Sequence, residues 1–352
     1  MAGSREWPAV SKHFLLCRRK RNAGNPIAEA VKYKYDMKKI LNVCLAALCL
    51  ALLPSCQGRR EAAKPRIAVV ISTLNNPWFV VLGETAAQRA GELGYEAVLF
   101  DSQNNPFKEA EHFDNILSAG YKAILFNPTD ATGSVKNVRA ARRAGVPVFC
   151  MDREIDDPDA CVSQILSDNY SGCVALGRHF VKVMNGKGNY VELLGLVGDN
   201  NTWNRSGGFH SVVDYYPDLH MLAQQSADFD QNKAMEVMES MMQAHPDIDA
   251  VFCGNDAMAM GASQAVLAAG KAGKIKVFGF DGSDDAVNAI REGRVEATGM
   301  QFPKTMARAA AEMADRLLRG EPERNFPKKL PVAVDLVTAD NVSRYGSFGK
   351  AG

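Results

Sequence analysis

The chain has 352 residues, room for one large or two medium α/β domains. Its 47% hydrophobic and 23% charged residues make an ordinary globular composition, with ample apolar material for a core. A net charge of +1 argues against a strongly electrostatic partner such as DNA, and six His and eight scattered Cys in no CxxC or HExxH spacing give no metal-site signal.

Residues 1–36 are basic and irregular, with CRRKR at 17–21 and KYK at 32–34, and predict no core element. Met37-Lys38-Lys39 then opens a positively charged segment, residues 40–53 are apolar apart from Asn42, and Leu53-Pro54-Ser55-Cys56 closes it. That is the three-part layout of a secretion signal, with an apolar stretch too short to span a membrane comfortably. A signal placed 36 residues into a chain is anomalous. Translation is therefore expected to start at Met37, with 1–36 a non-native extension. The ending resembles the lipobox of bacterial lipoproteins, although Pro54 is an unusual occupant. That resemblance implies lipidation of Cys56 and a place in the periplasm or on the outer face of the envelope. Cys150, Cys161, Cys173 and Cys253 remain in the exported body, where an oxidising compartment permits disulfides. Cys150 and Cys253 end apolar runs and are expected to be buried free thiols.

Residues 57–65 form a polar tether. From Arg66 onward short apolar runs alternate with amphipathic stretches. Ile67 to Ile71 is continuous, apolar and β-branched, the composition of a strand buried on both faces. Asn76 follows as a helix N-cap and Pro77 suits the first helical position, with Trp78 and Phe79 at the mouth of the turn. Further strand-like runs lie at 96–100, 123–126, 146–150, 191–194, 250–253 and 275–280. Helical patterns cover 78–92, 107–118, 131–143, 171–184, 205–215, 231–244, 256–269, 284–291 and 304–318. Strict alternation predicts parallel sheets with helices on both faces. The alternation occurs twice, with a break near Ser167-Asp168-Asn169. The expected fold is two doubly wound α/β lobes joined by a hinge of several crossings. One lobe takes 66–167 plus 302–331, the other 168–301 plus 332–345, with a final β-rich run from Val332 to Val337.

Most strand-like runs end on groups suited to hydrogen bonding. Asn127-Pro128-Thr129-Asp130 follows one, Asp152-Arg153 the next, and a loop DNNTWNR ending at Arg205 another. Asp228-Phe229-Asp230, Asn255-Asp256, Asp281-Gly282 and Gln301 complete the series. Taken singly, such residues serve as helix caps, turn residues or structural ion pairs. Together they converge on the crevice at the carboxyl ends of the strands, where open α/β sheets bind ligands. Carboxylates accept, guanidinium groups donate, and amides do both, which satisfies every hydroxyl of a polyol. Aromatic faces at Trp78, Phe79 and Phe229 suit the C–H patches of a sugar ring. The pattern is that of a neutral-sugar site. No GxGxxG, GxxxxGK[ST] or GxSxG appears in the expected context, so no cofactor or nucleophile motif is present. Asp152 and Asp281 could form a glycosidase pair, but flanking Arg is expected to push both carboxyls down, against the raised acid such chemistry needs.

At these residues the chain resembles the type I periplasmic binding protein family, specifically the D-ribose-binding proteins of ABC importers. The stretches STLNNPWF, FDSQNNP, NPTD, MDRE, SDN, NRSGGF, ADFD, AHPD, NDAMAMGA, GFDGS and MQFPK carry the resemblance, from about Arg66 to Val337. It implies sugar contacts from Asn76, Trp78, Phe79, Asn127, Asp152, Arg153, Arg205, Phe229, Asn255, Asp281 and Gln301. It also implies a monomer that closes about its hinge, delivers D-ribose to a membrane permease driven by a separate ATPase, and has no cofactor or catalytic activity. A chemoreceptor partner is compatible with that role. Trp78 stands where a Phe would be typical, and Trp203 where ribose binders can carry a basic residue. Those departures leave room for another pentose, a hexose such as allose, or a polyol. The same core serves in lactose-repressor-type regulators, but a signal-like segment stands where their helix-turn-helix would be, and no nucleic-acid partner is expected.

Overall fold

The computed structural model describes residues 63–350 together with Lys34, Met37, Lys39, Leu41 and Asn42. Cys56, nearly all of the basic extension and signal-like segment, and the tether through residue 62 lie outside the described residues. Lys64 onward forms one compact unit.

β1 (Arg66–Ile71) is the strand its composition dictates, buried from Ile67 on. Ile67, Val69 and Ile71 enter one core cluster while Ala68 and Val70 enter another on the opposite face. Burying each Val or Ile fully contributes roughly 1.5–3 kcal/mol. β1 pairs in parallel with β2 (Glu96–Asp101) and β3 (Ala123–Phe126). With β4 (Val148–Met151), β5 (Ser163–Ser167) and β11 (Lys329–Val332), the sheet order is β11-β5-β4-β3-β1-β2, parallel throughout. The connecting helices are α1 (Pro77–Glu92), α2 (Pro106–Ala119) and α3 (Val135–Arg143). α9 (Pro303–Leu318) returns to this lobe, its Met306, Ala307 and Ala310 entering the same cluster as Leu82 and Ala86 of α1.

The second sheet contains β6 (Lys187–Leu194), β7 (Asp218–Ser226), β8 (Ala250–Cys253), β9 (Lys276–Asp281), β10 (Ala297–Met300) and β12 (Asp335–Thr338). Its order is β12-β10-β9-β8-β6-β7, parallel except for β12 against β10. α4 (Asn169–Val183), α5 (Asn200–Val213), α6 (Gln231–Ala244), α7 (Asp256–Ala268) and α8 (Asp284–Arg291) cover it. The chain passes between the sheets after β5, after β10 and between β11 and β12. The fold is therefore two doubly wound lobes with three crossings. In each sheet the first strand lies between its next two neighbours in sequence, the strand reversal at which ligands bind.

Several local expectations are corrected. Residues 332–337 are not one strand: Val332 pairs with Ser167 in the first sheet, and β12 begins at Asp335 in the second. Pro331 is tolerated in β11 because that strand lies at a sheet edge. β5 and β7 carry too many polar residues to read as apolar runs, yet both pair. The segment DNNTWNR is not a loop: Asp199 accepts a hydrogen bond from the Asn201 N–H at 2.9 Å, and α5 runs from Asn200. The four body cysteines are buried free thiols, Cys150 and Cys253 among them.

Candidate ligand-binding cleft

The carboxyl ends of both sheets face each other across a small cavity. Asn76, Trp78, Phe79, Asp152 and Arg153 line it from the first lobe. Asp199, Asn201, Arg205, Phe229, Asn255, Asp281 and Gln301 line it from the second lobe and its exit. Every residue expected at the site except Asn127 belongs to this wall.

Asn127 stands outside it. It is fully buried behind Asp152, its Nδ2 donating to the Met151 carbonyl at 3.0 Å and to Asp152 Oδ2 at 3.2 Å. Its Oδ1 accepts from Ser72 Oγ at 2.6 Å. Its bond to Asp152 helps hold that carboxyl in place.

Two of the asparagines serve as helix cap and cavity wall at once. Asn76 Oδ1 accepts from the Trp78 N–H at 2.9 Å, and Asn255 Oδ1 accepts from the Met258 N–H at 2.9 Å. Such caps contribute about 1 kcal/mol each. The cap commits each Oδ1 to its helix and fixes the amide orientation.

Arg153 is held by three contacts. Its Nε stands 2.6 Å from Asp199 Oδ2, its Nη1 donates to the Pro128 carbonyl at 3.3 Å, and its guanidinium lies 4.9 Å over the Phe79 ring. Arg205 mirrors it on the other lobe. Its Nε donates to Asn169 Oδ1 and its Nη1 to the Gly254 carbonyl, both at 2.8 Å. Asp281 Oδ1 lies 3.5 Å from that Nη1 and accepts from Gln301 Nε2 at 2.6 Å. The Arg205 guanidinium also stacks on Phe280 at 4.3 Å and Phe229 at 5.6 Å. Pre-positioned guanidinium groups of this kind lose little freedom when they bind.

The aromatic walls are set by close approach. Trp78 and Phe79 meet edge to face, centroids 5.4 Å apart. Phe229 sits directly on the Gly195 backbone, where an added Cβ would lie 1.9 Å from its Cζ. Asp152, Phe229 and Asp281 have φ of 65°, 59° and 136°, conformations that L residues adopt only under constraint. Asp256 supplies part of that constraint. Its Oδ2 accepts from the Gly282 and Ser283 N–H groups at 2.8 and 2.7 Å, pinning the turn after Asp281.

Burial reverses the expected electrostatics. Desolvation, with the neighbouring Asp199 charge second, pushes the Asp152 carboxyl up to about 7 despite Arg205 and Arg153. Desolvation likewise raises Asp281 well above the carboxylate range. Flanking Arg does not hold either carboxyl down, so that ground for setting hydrolysis aside fails. The wall carries three carboxyls and two guanidinium groups, close to balance.

Asp199 and Asn201 were not singled out from the sequence. Besides pairing with Arg153, this turn reaches across the lobes: Asn201 Nδ2 donates to the Asp152 carbonyl at 3.2 Å, and Asn200 Nδ2 to Asp156 Oδ1 at 2.9 Å. The Ala131 N–H donates to the Gly198 carbonyl at 3.0 Å. The signal available was Asp199 as an N-cap, hidden by three turn-forming residues after it. Trp203 lies on α5 with its ring half-exposed and outside the cavity wall.

The periplasmic binding protein domain model matches residues 67–322. The D-apiose import binding protein of Paraburkholderia graminis is 39% identical over 310 residues, covering 87% of this chain and 97% of that protein. The ribose import binding protein of Salmonella typhimurium is 39% identical over 302 residues, covering 86% of this chain and 99% of that protein. Among solved structures, an ABC transporter solute binding protein from Bacillus halodurans with bound myo-inositol superposes with a TM-score of 0.76. It is 26% identical and covers 81% of this chain and 98% of that one. With the family model spanning most of the compact body, and full-length relatives at this identity, the chain belongs to the periplasmic binding protein domain family.

Proposed function

We propose that this chain captures a neutral monosaccharide between its lobes and delivers it to an ABC importer at the cytoplasmic membrane. The observation that carries the reading is one small cavity walled from both lobes by Asp–Arg pairs, amides and three aromatic rings. Hydroxyls that both donate and accept match that wall, and its near-balanced charge favours no net-charged ligand. A ligand touching both lobes has differential affinity for the closed state and so drives closure. A micromolar affinity corresponds to about 8 kcal/mol, within reach of a few charge-assisted bonds and ring stacking after ordering costs.

D-ribose is the first choice. D-apiose is the second reading, favoured by the 39% identity to an apiose import binding protein; allose and polyols follow. The chain acts as a monomer in the periplasm, anchored through a lipidated Cys56, presents its closed form to a permease, and leaves the sugar chemically intact. A chemoreceptor is a compatible second partner. A thermal-shift screen over pentoses, hexoses and polyols tests the assignment, since a native-state ligand raises the melting point. One pentose standing above the rest, recovered unaltered, supports it; no shift with any of them rejects it.

A further inference from the structure

Two buried polar atoms in the cavity wall take part in neither a hydrogen bond nor an ion pair: Trp78 Nε1 and Gln301 Oε1. Each comes from a residue almost completely buried. The second described indole behaves differently, Trp203 Nε1 donating to the Val197 carbonyl at 3.0 Å. A buried donor or acceptor left unmade carries its full desolvation penalty. A phenyl ring at position 78 would supply the same apolar wall without that penalty.

Gln301 is held through one end of its amide. As the structure orients the amide, its Nε2 donates to Asp281 Oδ1 at 2.6 Å. Its Oε1 is thereby left as an acceptor, which takes a hydrogen from a ligand O–H. The Trp78 N–H is donor only, and gives a hydrogen to a ligand oxygen. The Trp78 backbone N–H is already held by Asn76 at 2.9 Å, so the indole is the one donor this residue has free.

We infer that Trp78 Nε1 donates to a hydroxyl oxygen of the bound sugar, beside the Gln301 contact that the resemblance implies, and that Trp78 selects a ligand oxygenated at the position it faces over one deoxygenated there. The inference rests on the reading of the cavity as a sugar site. It names a polar role for a residue whose ring otherwise serves as an apolar wall, and a class of ligand, monodeoxy sugars, that the site disfavours.

The test uses mature protein freed of co-purified sugar and labelled with ¹⁵N at the indole nitrogens, with Trp78→Phe identifying the Trp78 signal. D-ribose, D-apiose, D-allose and myo-inositol are titrated in turn. Saturation with the best of them is expected to move the Trp78 indole proton downfield while that of Trp203 stays in place. In calorimetry, Trp78→Phe is expected to lose about tenfold in affinity for that sugar, or about 1.4 kcal/mol. The wild-type preference over one monodeoxy analogue should collapse in this variant, and the preferences over the others should persist. Gln301→Leu should erase the preference at a different position. An indole signal unmoved at saturation, or unchanged discrimination by Trp78→Phe, overturns the inference while leaving the sugar site standing. Failure of the wild type to bind any of the four sugars takes down both.

Discussion

Arg153 of the first lobe and Asp199 of the second form a buried ion pair, Nε to Oδ2 2.6 Å, that ties the two walls of the cavity together. Both are about 3% exposed, so neither charge has water to fall back on. Removing one partner of such a pair costs on the order of 2–5 kcal/mol, much of it the penalty of the charge left behind. Asp199→Ala is therefore expected to weaken sugar binding at least about tenfold. Calorimetry would count against this role if the variant stayed within about twofold of wild type.

Asp152 and Arg205 stand on opposite lobes and offer buried hydrogen-bonding partners to a ligand hydroxyl. Asp152→Ala or Arg205→Ala is expected to cost at least about 2 kcal/mol of sugar binding. Near wild-type affinity in both variants would remove these residues from the site.

The Asp152 carboxyl titrates at about 7 in the fold, against 3.8 when exposed. The folded state therefore holds a proton that the unfolded chain releases. Its stabilising contribution is full below pH 3.8 and is lost as the pH rises through 7, an effect on the order of a few kcal/mol. The melting temperature of ligand-free wild type should fall relative to Asp152→Asn between about pH 4 and 7 and level off above that. Parallel pH profiles of the two proteins would refute the shift.

His210 acts in a higher window. Hydrogen bonds to Glu192 at 2.9 Å and Asp214 at 2.8 Å raise it from 6.5 to about 9, the Glu192 bond being the larger cause. Its contribution is full below pH 6.5 and is lost as the pH rises through 9. His210→Gln should flatten the stability profile over that range only, as read by thermal melts with and without the substitution.

Gly195→Ala would place a methyl group 1.9 Å from the Phe229 ring. Overpacking of this kind costs typically about 1–3 kcal/mol. The ring should swing from the cavity wall, giving a lower melting temperature and weaker sugar binding together. A variant unchanged in both would show that Phe229 is free to move without consequence.

Much of this was legible in the sequence because the signals are local. Asn76-Pro77 starts a helix through its own side chain and ring, and the Ile67–Ile71 run can be satisfied only by burial on both faces. The positions after each strand then follow from alternation. What escaped depends on tertiary context. Asn127 follows a strand as the wall residues do, but its amide bonds to Ser72, Met151 and Asp152 outside the wall, which no spacing reveals. Asp199 and Asn201 were hidden because Asn200-Asn201-Thr202 reads as a turn and only the Asp199 cap starts α5. β7 was missed because an edge strand exposes one side and can carry DLHMLAQQS. The left-handed backbone at Asp152 and Phe229 is imposed by packing, and the upward titration of Asp152 by burial outweighing two nearby Arg.

The central claim is that closing lobes grip an uncharged sugar through both walls at once. Isothermal titration of mature protein, unfolded and refolded to strip any carried sugar, tests it most directly, with D-ribose first and D-apiose next. The account predicts one site per chain with micromolar or tighter affinity for a pentose. Absence of heat with every monosaccharide and polyol offered would contradict it.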